Sequence, residues 1–95
     1  MQCAVFVDVD NSGEDPEAGR AALRDELAPA LESMTGFVST VLTTAYDRGV
    51  GIAVVVFETE EQADQLLAGI VVGRELRPGV VVRRAEVLEV NASER

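Results

Sequence analysis

The sequence predicts an α+β fold in which four strands and two helices follow one another as βαββαβ. Three observations carry this reading. Two runs, Cys3 to Val9 and Gly51 to Phe57, are apolar at both parities, as strands covered on both faces are. Two other stretches repeat apolar residues at helical spacing behind cap residues, and Gly or Pro separates the segments. Ninety-five residues, 47% of them apolar, are enough for one core but not two, so residues 1–95 read as a single domain.

The first strand, Cys3 to Val9, is central. Turn residues Asp10 to Gly13 follow, and then Asp15 can cap the orphan amides of a helix that has Pro16 at its first position. Leu23, Leu27, Ala30, Leu31 and Met34 form one apolar stripe, while Arg20, Arg24, Asp25 and Glu32 occupy other faces. Pro29 removes a backbone donor inside this span, which predicts a kink between Asp25 and Pro29.

Gly36 ends the helix, and Phe37 opens a strand to about Tyr46 whose Ser and Thr residues suit an edge. Asp47, Arg48 and Gly49 read as a hairpin turn with a left-handed third residue, leading into the central strand Gly51 to Phe57. Thr59 and Gln62 form a capping box. The second helix carries Ala63, Leu66, Leu67, Ile70 and Val71 on one stripe and is expected to close at Gly73. Pro78 and Gly79 turn the chain into the last strand, Val80 to Val90, whose Arg83, Arg84, Glu86 and Glu89 mark the other edge.

Right-handed crossovers place these strands in the order 4-1-3-2, a ferredoxin-like antiparallel sheet with both helices on one face. The apolar residues of strands one and three on the other face then need a cover. A second copy of the chain is the simplest one.

Composition excludes several chemistries. The net charge of −9 repels phosphate backbones and anionic membranes, so no nucleic-acid or membrane partner is expected. There is no His or Trp, and all eight basic residues are Arg, which removes imidazole chemistry and lysine Schiff bases. The single Cys3 suits a small apolar core position in a reducing compartment, and the apolar stretch Ala4 to Val7 is too short for a signal peptide. A cytoplasmic protein without cofactor or metal is the expectation.

Three runs resemble the dimeric α+β barrel proteins that include the antibiotic biosynthesis monooxygenase-like domains: Leu31 to Phe37, Val54 to Ala63 and Glu86 to Val90. The resemblance implies a homodimer whose sheets form a barrel, with a ligand cavity between each sheet and its helices. That family contains cofactor-independent oxygenases and haem degraders. The haem-degrading constellation cannot be present without Trp and His, and no catalytic residue carries over. Tyr46, Asn11, Asn91 and the arginines are the groups left to hold a phenolic substrate.

Asp8, Asp10, Ser12 and Gly13 match the opening of a calcium loop, but Gly19 stands where the bidentate Glu belongs, so they read as a solvated acidic turn. The same carboxylates after an apolar strand are similar to the nucleophile motif of aspartate-dependent phosphatases, which need a lysine absent here. Arg83 and Arg84, adjacent on a strand, are expected to point to opposite faces, one of them toward an enclosed ligand or an intersubunit carboxylate. Tyr46 at the hairpin mouth can orient a ligand through its hydroxyl. The function expected is a homodimer that binds a small apolar or aromatic molecule between sheet and helices without catalysis. The alternatives are a cofactor-independent monooxygenase-like enzyme and an acidic protein-interaction domain.

Overall fold

The computed structural model describes residues 1–94. Five strands form one antiparallel sheet: β1 (Cys3–Asp10), β2 (Phe37–Ala45), β3 (Val50–Phe57), β4 (Glu75–Arg77) and β5 (Val80–Glu89), in the order β2-β3-β1-β5-β4. The expectation of four strands is therefore corrected. The residues before Pro78 fold back on β5, with Glu75 opposite Val81 and Arg77 opposite Val80. A short, charged strand of three residues lacks the alternation that marks longer ones. It takes the outer edge that the last strand was expected to occupy.

The helical segments are α1 (Pro16–Ala22), a π-helical turn at Leu23–Leu27, α2 (Ala28–Glu32) and α3 (Glu60–Leu67). Asp15 caps α1 by accepting from the Ala18 amide at 3.0 Å. The expected kink takes the form of the π turn, in which the Ala28 amide reaches the Leu23 carbonyl. Pro29 has no N–H for the next bond, so one wider turn just before it places the discontinuity where a donor is already missing.

Thr59 and Gln62 form the expected capping box, each bond at 3.2 Å. The helix does not run to Gly73. It ends at Leu67, after which the Gly69 amide bonds Leu66 and the Ile70 amide bonds Leu67, tight turns that fit a glycine weak in helix propensity. Gly73 belongs to the return toward β5, its amide donating to Val82 at 2.8 Å. Val71 and Val72 are exposed in consequence, so the apolar stripe expected to include Val71 stops at Ile70.

Both helical regions pack on one sheet face. Leu31 of α2 and Ala63 of α3 join Cys3, Val5, Phe57 and Val82 in the core, and Cys3 is a free buried thiol. Burying such apolar surface at ~25 cal/mol per Å² is the main drive for the fold. The opposite face carries Phe6, Ile52, Val54, Val56 and the exposed Val41 and Leu88, with no described element over it. Gly49 closes the β2–β3 turn at φ 67°, ψ 36°, a left-handed conformation that suits glycine. No described helix is long and apolar enough to cross a membrane.

Candidate functional site

The helices leave a cavity of about 320 Å³ against the sheet. Its floor is the inner face of the central strands, where Val7, Ala53 and Val55 project with Gly51, and Leu42 of β2 borders it. Its roof is Leu23 and Leu27 of the π turn and Leu31 of α2. Leu66, Ile70 and the β4 residue Leu76 complete the mouth. The space exists because the floor is built from Val, Ala and Gly, whose short side chains do not reach the roof leucines.

One end of the wall is polar. Asn11, 3% exposed, is held by its own amide on the Gly49 carbonyl at 3.1 Å and by Nδ2 donating to the Val50 carbonyl at 3.3 Å. Its Oδ1 is buried and has no hydrogen-bond partner. Arg77 donates from Nε to Glu14 Oε2 at 2.6 Å and from Nη2 to Glu14 Oε1 at 3.2 Å. This forked pair fastens β4 to the turn after β1, and the Glu14 side chain is only 7% exposed.

Tyr46 lies behind that pair, outside the cavity wall. Its hydroxyl is buried without a partner, and the Arg20 guanidinium stacks on its ring at 4.9 Å from the centroid. Gly19 makes room for it: a Cβ there would meet Glu14 Oε1 at 2.5 Å and the Tyr46 hydroxyl oxygen at 2.6 Å. So Asn11 lines the cavity, and Tyr46 does not.

Arg83 and Arg84 lie elsewhere, and they do not point to opposite faces. The register of β5 slips beside β1, with Asp8 opposite Arg84 but Val9 opposite Val82, so Arg83 is the extra residue of a β-bulge. The bulge breaks the alternation and sends both guanidinium groups to the open face. There Arg83 pairs with Asp8 at 3.0 Å, while Arg84 stacks on Phe6 at 4.8 Å from the ring centroid and meets Glu86 at 3.5 Å. Neither reaches the cavity.

The acidic turn closes on itself. Asp10 Oδ1 accepts from the Ser12 hydroxyl at 2.6 Å and from its amide at 2.8 Å, and these bonds, the hydroxyl first, hold the Asp10 carboxyl below its usual range. Glu14 and Arg77 were not singled out by sequence, and Gly19 was read only as the residue standing where a calcium loop needs Glu. Glu14 and Arg77 are 63 positions apart, and no local pattern joins a turn acid to a base beside Pro78.

Arranged this way, the site can enclose an apolar molecule, with Asn11, Thr43, Thr44 and Arg77 the polar residues on its wall. Neither a family model nor a curated protein matches this chain.

Proposed function

We propose that the protein binds a small apolar or aromatic molecule in the cavity between sheet and helices, holds it without transforming it, and acts as a homodimer in the cytoplasm. The cavity of about 320 Å³ with a single polar end carries this reading. It falls in the range of ligand sites, roughly 300–1,000 Å³. An engineered apolar cavity of about 150 Å³ takes one benzene, so a guest of about two fused rings suits this one. Binding rather than catalysis is supported by the wall itself: its ionised groups, Arg77 and the Glu14 behind it, are engaged with each other. This reading treats the chain as a relative of the dimeric α+β barrel proteins, with the open apolar face as the dimer surface.

Filling the cavity tests the binding reading. Ala53→Leu adds bulk to the floor and is expected to abolish binding of a two-ring aromatic while the protein stays folded; unchanged binding overturns the site. Sedimentation equilibrium tests the assembly. A mass near twice the 10.1 kDa chain is expected, reverting to one chain in Val54→Arg at the centre of the open face. A single-chain mass for the native protein at micromolar concentration removes the dimer.

A further inference from the structure

A second space adjoins the cavity. Ala22 of α1, Glu26 and Leu27 of the π turn and Ala30 of α2 line a cleft of about 280 Å³ that opens to solvent. Its remaining walls are Leu76 and Arg77, and those two residues, with Leu27, also line the interior cavity. Three side chains therefore stand between the two spaces. Leu76 is 46% exposed although it borders the interior, so the partition there is one side chain thick. The sheet does little to fix it: β4 meets β5 at Glu75 and at Arg77, and the ladder is irregular between them, which leaves Leu76 without a partner. Arg77 is fixed through its side chain, whose Nε and Nη2 donate to the two oxygens of Glu14. The other exposed residues of the cavity wall are Thr43 and Thr44 on β2. An apolar guest gains more by first settling on the alanines and leucines of the cleft than on hydroxyl groups that water already holds.

We propose that guests enter and leave through the partition of Leu27, Leu76 and Arg77, and that the Arg77–Glu14 fork is the latch that keeps it shut. This rests on the reading of the cavity as the ligand site. Opening does not require the backbone to unzip. The Gly73 amide donates to the Val82 carbonyl and the Val82 amide to the Arg74 carbonyl, so the chain entering β4 stays on β5 while the Leu76 and Arg77 side chains swing aside. The limiting event is the breaking of two charge-assisted hydrogen bonds together. A latch of this kind sets a barrier common to entry and exit, so it governs both rates and leaves the affinity alone.

Indole is a suitable probe, because the chain has no Trp and indole emission reports binding without a tryptophan background. Stopped-flow mixing and NMR line shapes give the association and dissociation rate constants, and titration gives the affinity. Arg77→Met and Leu76→Ala are each expected to raise both rate constants about tenfold, with the affinity kept within about threefold. General loosening of the fold is separated by combining Glu14→Gln with Arg77→Met, which strands no charge. In that double variant stability is expected to recover while the fast exchange persists. If Arg77→Met alone does not fold, the double variant decides. A native association rate in the double variant overturns the latch, and one in Leu76→Ala overturns the entrance; either leaves the cavity as a ligand site. An association rate slowed by Thr44→Phe and unmoved by Leu76→Ala puts the entrance at β2 and also overturns the proposal. Failure of indole to bind the native protein overturns both this inference and the function on which it rests.

Discussion

Replacing Arg77 by Met tests the contact that builds the polar end of the cavity. Methionine keeps an unbranched apolar stem but leaves the Glu14 carboxylate, 7% exposed, without its forked partner. Stranding one member of a buried pair costs about 3–5 kcal/mol, and the 26% exposure of the Arg77 side chain puts the expected loss near the lower figure, about 3 kcal/mol. The exposed pair Arg24–Asp25, with side chains 73% and 62% accessible, sets the contrast: solvent screens it, and breaking it should leave stability almost unchanged. A domain of this size has roughly 5–14 kcal/mol in all, so Arg77→Met should remove a large share and lower the melting midpoint by about 12–24 °C. Urea denaturation measures it, with an unchanged slope showing that the folded and unfolded states keep their compactness. Adding Glu14→Gln should recover at least about 2 kcal/mol, because the stranded charge is gone. A loss below about 1 kcal/mol, or strict additivity of the two substitutions, would refute the pairing as a structural fastener.

Two further outcomes follow from local geometry. Gly19→Ala improves helix propensity by about 1 kcal/mol, yet its Cβ would push into Glu14 and Tyr46, so a net loss of about 1–2 kcal/mol is expected in thermal unfolding; a stabilised variant contradicts the packing. Asp10, lowered by its Ser12 bonds, should titrate below its ordinary value of 3.8 and move back up in Ser12→Ala, read by carboxyl-carbon NMR. Its contribution is present above the unfolded-state value and is lost as pH falls through the folded value, so the variant should be less stable than native at neutral pH and converge with it in acid; a difference that appears only in acid contradicts this.

What was legible in the sequence was local. Asp15 before Pro16 and Thr59 three residues before Gln62 are cap patterns complete within one turn, and the structure uses both. Pro29 announced a helix irregularity, but not that it would be a π turn, since the choice of hydrogen bond depends on how Leu23 and Leu27 sit over the sheet. Strand β4 was missed because three residues flanking a Pro-Gly turn hold too few side chains for alternation to appear. The Arg83–Arg84 orientation failed for another reason: a bulge is set by pairing with β1, and one extra residue there cancels the period of two on which the expectation rested. Asn11 was legible as a polar residue after a strand. That its side chain would be buried at a cavity wall depended on Gly49 and Val50, brought there by the hairpin.

The central claim is that the space beneath the leucine roof, and not the open sheet face, receives the ligand. Methyl-labelled protein titrated with indole tests it most directly, because leucine and valine methyl groups lie on both surfaces. The account predicts saturable shifts at Leu23, Leu27, Leu31 and Val7, with Val41 and Leu88 unmoved. Shifts confined to Val41 and Leu88, or no saturable shift at the roof leucines, would contradict it.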